Sequence, residues 1–264
     1  MASAAAGHRY RQNREANPRD EARSANAEAG HTGTVRLLLK LLPWLSAVLI
    51  TYPAWSQQTI FDVPSADVAA KHEWFYQHQT VARAWNPDRR WIQTNAAGWG
   101  IGHSLELDAT WFNLELNSPG SVGSVGFKWS PRLNAEHASV PLRFVAGDLV
   151  QARGPSPRFG NWAYAMISAE LPTTHTHLTG GVHTGTSILF GTKTVGVLVG
   201  IEYHLTDRWM LQADSFSGRH DLAYLIPGVV YRATPHWMVS LGYQIPNRHS
   251  AGFGAMVFEL TRFP

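Results

Sequence analysis

The sequence predicts an all-β fold in which about twelve antiparallel strands close into a transmembrane β-barrel. Residues 195–263 alternate between apolar and polar or small side chains with a period of two, which is typical of strands that have one apolar face. Four aromatic residues flank the short turns on the apolar phase: Tyr203, Trp209, Tyr231 and Trp237. Aromatic rings prefer the boundary between lipid and water, whereas a soluble core would scatter them along the strands. The pattern therefore favours a membrane barrel over a soluble sheet, and these four residues are the predicted lipid-interface aromatics.

The clearest strands lie in this C-terminal stretch. The first runs from Val195 to Leu205, and the alternation continues after tight turns at Thr206-Asp207 and at Thr234-Pro235. The phase opposite the apolar one carries the predicted lumen-lining residues, which are Glu202, His204, Gln212, Asp214, Ser240 and Gln244. Glycines recur on the same inward phase, and such small residues suit a crowded barrel axis or tight strand coiling.

The earlier strands alternate less clearly. Seven candidates begin with a strand at His72 and continue with residues 98–107, 109–117, 121–130, 140–151, 161–171 and 175–183. Long loops are predicted at residues 87–97, 152–160 and 184–194, and short turns at Asp108, 172–174, 206–207 and 233–235. Residues 131–139 form a connection that is longer than the other predicted turns at its end of the barrel. The even total of twelve suits a single-chain barrel, with ten and fourteen as neighbouring counts.

The N-terminal region divides into three predicted segments. Residues 1–34 have no periodic apolar face and are predicted to be a disordered leader. Residues 35–56 combine Arg36 and Lys40 with an apolar run and a small-residue ending, which predicts a secretory signal peptide; a single anchoring helix is the alternative. Residues 57–71 are predicted to be a periplasmic lead-in with a helical turn at residues 65–71, so the barrel spans residues 72–264.

Composition excludes several classes of function. The chain has 264 residues, no Cys and a formal net charge of +3, so disulfide scaffolds, thiolate metal sites and haem attachment through Cys are excluded. Much of the positive charge lies in the first forty residues, and we therefore predict no nucleic-acid partner. No long apolar run follows residue 56, which removes a helical membrane span from the mature region.

Three stretches together resemble bacterial outer-membrane β-barrel proteins. They are residues 200–209 (GIEYHLTDRW), residues 227–231 (PGVVY) and the final residues 257–263 (VFELTRF). The C-terminal third is similar to porin-like barrels that are described as transporters or as outer-membrane components of aromatic-compound degradation. The resemblance implies location in the outer membrane, contact with outer-membrane lipid and lipopolysaccharide, and insertion by the outer-membrane assembly machinery.

The sequence gives little support for a catalytic or metal-binding site. His175 and His177 could share one strand face and form half of a metal site, but no third ligand is evident. Asp214, Ser217 and His220 lie near one loop, yet proximity in sequence does not show a catalytic geometry. Outer-membrane phospholipases are also twelve-stranded barrels and use a His–Ser pair on an outward face. The adjacent pairs His103-Ser104 and His249-Ser250 would instead point to opposite faces of a strand.

The sequence therefore predicts a passive, porin-like channel for small solutes, with no catalytic residue, metal or cofactor. Two alternatives stay open: an outer-membrane lipid hydrolase or acyl-modifying enzyme, and a closed structural or partner-binding barrel. For the closed barrel, the basic residues Arg153, Arg158 and Lys193 in the predicted external loops favour an anionic partner such as lipopolysaccharide.

Overall fold

In a computed structural model of the chain, twelve antiparallel strands form a closed barrel, as the sequence predicts. The structure describes residues 59–85, 91–112, 122–153, 158–218, 220, 222–247 and 254–264. Each strand pairs with its neighbours in sequence, and the first pairs with the last. The strands are β1 (Trp74–Ala82), β2 (Trp91–Gly102), β3 (Leu105–Phe112), β4 (Val122–Trp129), β5 (Leu142–Arg153), β6 (Arg158–Leu171), β7 (Thr176–Gly185), β8 (Val195–His204), β9 (Trp209–Phe216), β10 (Tyr224–Thr234), β11 (Trp237–Pro246) and β12 (Ala255–Arg262).

Alternation along each strand separates an apolar outer surface from the barrel interior. In β8, Val197 and Val199 are about half exposed on the outer surface, while Leu198 between them is fully buried inside. The outer surface carries large exposed hydrophobic residues on most strands, as expected where a barrel faces lipid. Within the described residues, no helix is long and apolar enough to cross a membrane.

The two ends of the barrel differ in their connections. Short connections join β2 to β3, β6 to β7, β8 to β9 and β10 to β11, and a 3-10 turn (Pro172–Thr174) forms one of them. The longer connection between β4 and β5 lies at the same end, and its Arg132 forms an isolated antiparallel β-bridge with Arg143 of β5 through the backbone. At the opposite end, a four-residue helix α1 (Ser187–Phe190) lies between β7 and β8. Phe190 is buried, so the connection that was predicted to be a partner-binding external loop folds partly into the barrel mouth.

The predicted strand boundaries are wrong in the first part of the barrel. Strand β2 begins at Trp91, within the predicted loop at residues 87–97, and the predicted turn at Asp108 lies inside β3. The turn falls instead at His103 and Ser104, both of which have positive φ angles of 54° and 60°. Side chains other than glycine rarely adopt this conformation, so the two central residues gave no turn signal, although Gly102 before them also has a positive φ of 96°. Ser118-Pro119-Gly120, predicted as a turn, lies outside the described residues.

The described part of the N-terminal segment, residues 59–71, runs inside the barrel. Ile60, Phe61 and Val63 are at most 2% exposed, and Val63 packs in a cluster with Val145, Leu198 and Phe216 of the barrel wall. This placement differs from the periplasmic lead-in that the sequence predicts for residues 57–71. No helical turn forms at residues 65–71, and we refer to residues 59–71 below as the inner segment.

Candidate functional site

The tip of the inner segment is a tight turn that binds one carboxylate. The backbone N–H of Ile60 donates to the carbonyl oxygen of Val63 at 2.8 Å, which closes the turn. The N–H groups of Phe61, Asp62 and Val63 then converge on Oδ2 of Asp214 at 2.9, 2.7 and 2.7 Å. Successive N–H groups in a turn form a concave site that suits an anion. Asp214, only 2% exposed on β9, therefore anchors the inner segment in the lumen.

Further contacts hold the inner segment along its length. The side-chain amide of Gln212 donates to the carbonyl oxygen of Ile60 at 2.7 Å, beside Asp214 on the same strand. Nearer the short-turn end, the N–H of Ala69 donates to Oε2 of Glu106 at 2.6 Å, and the hydroxyl of Ser130 donates to the carbonyl oxygen of Ala66 at 2.5 Å. The side-chain amide of Gln79 on β1 also donates to the carbonyl oxygen of Phe61, at 3.4 Å. The segment is thus bound by side chains from several strands around the barrel, without any covalent link.

Inward glycines make room for the apolar side chains of the inner segment. A Cβ atom at Gly228 would lie 2.5 Å from the Phe61 ring, and one at Gly242 would lie 2.7 Å from it. A Cβ atom at Gly200 would lie 2.1 Å from Ile60. These three inward glycines therefore accommodate the inner segment, in agreement with the crowded axis that their pattern suggested.

The sequence-predicted lumen residues lie on the inner side of the wall. Glu202, Gln212, Asp214, Ser240 and Gln244 are each at most 7% exposed, and His204 is partly buried. The structure brings Gln212 and Asp214 together as ligands of the inner segment. Glu202 is the cross-strand neighbour of Gln212, and one of its oxygens lies 3.9 Å from Nδ1 of His177. Whether these residues line a path for solutes stays a prediction.

The lumen raises the pKa values of two carboxyl groups of the inner segment, Asp62 and Asp67. Burial raises the pKa of Asp62, while hydrogen bonds from Gln79 and Gln244 act in the opposite direction. The carboxylates of Asp214 and Glu259 also face Asp62. Burial likewise raises the pKa of Asp67. The charges of His177, Lys128 and Arg143 oppose the rise in the pKa of Asp67, so burial is the main cause of the shift in both groups.

A cavity of about 280 Å³ lies beside the tip of the inner segment. One part of its lining is apolar and includes Phe61, Trp162 and Phe216, with Phe190 from α1. The other part is polar and comes from inward residues of β1 to β5: Gln77, Gln79, Thr94, Asp108, Thr110, Ser124 and Gln151. A small molecule with an apolar body and a polar end would find complementary surfaces there.

The predicted interface aromatics lie at the short-turn end of the barrel. Tyr203, Trp209 and Trp237 are 37–45% exposed, and Tyr231 packs against Trp209 with 4.6 Å between ring centroids. Arg262 of β12 adds a guanidinium 5.7 Å from the Trp237 ring centroid. Their assignment to a lipid boundary stays a prediction.

The outer surface of β1 and β2 carries a hydrogen-bonded polar cluster, which we call the outer polar cluster. It consists of Tyr76, His78 and Thr80 of β1 and Asn95 of β2. Nε2 of His78 lies 3.1 Å from Oγ1 of Thr80, and Nδ1 of His78 lies 2.9 Å from Oδ1 of Asn95. The Tyr76 hydroxyl donates to the same Asn95 oxygen at 2.5 Å. Four polar side chains that are hydrogen-bonded to one another on a largely apolar surface form a second candidate site.

Sequence reasoning missed the outer polar cluster for an identifiable reason. His78 and Thr80 do fall on one phase of the predicted first strand, and this spacing is a detectable signal. Asn95, however, lay in the predicted loop at residues 87–97, so no strand partner was available for His78. The adjacent His–Ser pairs that stand out in the sequence cannot share a strand face, whereas the structure joins residues two apart on one strand with a residue of the next strand.

The other candidate catalytic and metal sites are not assembled. Asp214 is bound to the inner segment, and Nε2 of His220 lies 3.1 Å from the backbone carbonyl oxygen of Ser217, while the Ser217 hydroxyl accepts the N–H of Val197. His103 and Ser104 lie in a turn, contrary to the predicted strand. His175 lies in a turn before β7, so it does not share a strand face with His177. His249 and Ser250 lie outside the described residues, in which no group of three potential metal ligands converges.

Comparisons with known proteins find similarity to solved membrane barrels only at low identity. No family model matches the chain, and no curated protein matches it. Similar solved structures include outer membrane phospholipase A from Escherichia coli (14% identity, TM-score 0.43, 74% of this chain and 89% of that chain). They also include Omp33 from Acinetobacter baumannii (10% identity, TM-score 0.39, 74% and 98%) and the translocator domain of the autotransporter NalP from Neisseria meningitidis (13% identity, TM-score 0.34, 91% and 97%). The expected resemblance to bacterial outer-membrane β-barrels is confirmed for the fold, which the closed strand order of this chain establishes by itself.

Proposed function

We propose that the protein is a bacterial outer-membrane barrel that passes small solutes through its lumen, and that the inner segment gates this passage. The observation that carries the proposal is the noncovalent anchoring of residues 61–63 to Asp214 inside the barrel. A segment held only by hydrogen bonds and apolar contacts can leave the bore without breaking the barrel. The apolar outer surface supports a membrane location.

The cavity beside the inner segment indicates what kind of solute the lumen accepts. Its apolar side is formed partly by Phe61 and Phe190, which belong to the two elements that fold into the bore. Its polar side includes Asp62 and Asp108, and the described lining contains no Lys, Arg or His. Neutral or cationic amphipathic solutes of modest size therefore suit the cavity better than anions do.

Conductance in planar lipid bilayers tests the gating proposal. The wild-type protein should conduct weakly, and Asp214→Ala should raise the mean conductance because the inner segment loses its anchor. Ser240→Ala is a matched control, since Ser240 is also a buried polar residue on the inner side, while the three N–H groups of residues 61–63 bind Asp214. If Asp214→Ala frees the segment and the conductance stays at the wild-type value, gated passage is refuted.

Ion selectivity provides a second test of the same function. Glu202 is buried on the inner phase, so Glu202→Gln should reduce any preference for cations over anions in the conducting state. Reversal potentials measured across a salt gradient report this preference directly. An unchanged reversal potential in a conducting Asp214→Ala background would mean that Glu202 does not border the path of the ions.

A further inference from the structure

We propose that the outer polar cluster is a hydrolytic site for the acyl esters of membrane lipids, with Thr80 as nucleophile and His78 as general base. Nucleophilic catalysis by a hydroxyl group requires a base within hydrogen-bond reach and a third group that orients the base. The separations of 3.1 Å from Thr80 to His78 and 2.9 Å from His78 to Asn95 meet both conditions. Nothing in the gating of the lumen involves this surface.

The hydrogen-bond donors define one consistent tautomer of His78. Oδ1 of Asn95 can only accept, so Nδ1 of His78 carries the proton and donates to it. Nε2 is then unprotonated and accepts the hydroxyl proton of Thr80, as a general base must. The Tyr76 hydroxyl holds the same Asn95 oxygen at 2.5 Å, and Asn95 is only 5% exposed. Asn95 and Tyr76 are therefore positioning residues that act through His78.

The location of the cluster on the barrel points to a lipid substrate. On the β12 side, Thr80 pairs with Phe258 and His78 pairs with Leu260, and Phe258 is 43% exposed on the outer surface. Acyl chains that lie along this surface would bring an ester group to the height of Thr80. Polar side chains on a lipid-facing surface are costly unless they are bonded to one another or serve a function.

The reaction balances with water as the only additional reactant. Thr80 Oγ1 attacks the ester carbonyl carbon while His78 Nε2 takes the hydroxyl proton, and this proton then passes to the departing alcohol. The resulting acyl ester on Thr80 is attacked by water, whose proton moves to Nε2 and returns to Thr80 Oγ1 as the fatty acid leaves. Gln93 pairs with Thr80 on the β2 side, and cross-strand neighbours lie about 5 Å apart, so its amide is placed to donate to the oxyanion.

Purified full-length protein in mixed micelles tests the proposal by release of fatty acid, followed by mass spectrometry. Thr80→Ala and His78→Ala should each lower the release rate by about 100-fold or more. Thr80→Ser should keep activity, because it retains the hydroxyl group. Thr184→Ala is the matched control, since Thr184 is an exposed threonine on the outer phase of β7, away from His78. Heat-modifiable migration in gels checks that every variant is folded.

Two further measurements separate catalysis from a structural role. A fluorophosphonate probe should label wild-type protein on Thr80 and fail to label His78→Ala. Asn95→Ala should lower the rate, and Asn95→Asp should restore it with a shifted pH profile, because a carboxylate also orients the imidazole. A structural role alone would give variants with altered stability and no change in the pH profile.

The release of fatty acid is measured with two substrates, phosphatidylglycerol and purified lipid A, because both carry acyl esters. Release from either one supports the site and identifies its source. Absence of release from both lipids, together with no labelling of Thr80, would overturn the proposal and leave the cluster as a structural feature of the outer surface. Conductance changes in Asp214→Ala are independent of this outcome, so gating and hydrolysis can fail separately.

Discussion

Truncating Asp214 should release the inner segment from the lumen. Asp214→Ala removes the acceptor for three backbone N–H groups at 2.7–2.9 Å, all on one oxygen. Hydrogen bonds to a charged group contribute about 1.5–3 kcal/mol each, and because a single oxygen is shared we expect a combined loss of about 3 kcal/mol for the docked segment. At tenfold per 1.4 kcal/mol, the undocked population should rise roughly a hundredfold.

Thiol labelling measures this population directly, because the chain contains no Cys. Val63→Cys places one thiol at a position that is fully buried while the segment is docked. A membrane-impermeant maleimide should label Val63→Cys slowly in the wild-type background and about 100 times faster with Asp214→Ala. Ser240→Ala should label at the wild-type rate. Equal rates in all three backgrounds would show that Asp214 does not anchor the segment, and the reasoning about the turn would be wrong.

Three more predictions concern the inner segment and the outer surface. Gly242→Ala should also speed labelling of Val63→Cys, since the new Cβ would lie 2.7 Å from Phe61; an unchanged rate would mean that the ring shifts without cost. Burial raises the pKa of Asp62, so docking of the inner segment is fully favoured below the ordinary pKa of Asp and weakens as the pH rises through the raised value. Asp62→Asn should therefore flatten the pH dependence of the labelling rate, after correction for ionisation of the thiol. A pH profile identical to that of the wild type would contradict this. Val199→Arg on the outer surface should cost about 2–4 kcal/mol of unfolding free energy in lipid, measured by denaturant titration, and a neutral effect would mean that this surface contacts water.

Local patterning was sufficient for the architecture of the C-terminal half. The alternation of residues 195–205 predicts which side chains face outward, and Val197, Val199 and Ile201 are indeed exposed while Leu198 is buried. The strand count of twelve is also confirmed. Period two is a property of the extended backbone itself, so it can be detected wherever one face of a strand contacts a uniform apolar environment.

Patterning was insufficient where side chains on the outer surface are polar. The outward phase of β1 carries His78 and Thr80, so the two phases of this strand are poorly separated in sequence. The end of β2 was also misplaced, because the two central residues of its turn, His103 and Ser104, are neither glycine nor proline. In β1 the rule that outward residues are apolar is broken, and in the turn after β2 the rule that glycine or proline occupies the centre is broken. The polar residues of β1 belong to the proposed hydrolytic site.

The sequence by itself determined the barrel class, the number of strands and the inward phase that includes Gln212 and Asp214. Only the tertiary structure showed that residues 59–71 occupy the lumen, and only it joined Asn95 to His78 across the β1–β2 register. Asp214 and the turn that it binds are about 150 residues apart in the chain. Contacts at such separations depend on how the whole sheet closes, and the two-residue period of a strand contains no information about which distant backbone groups a side chain will meet.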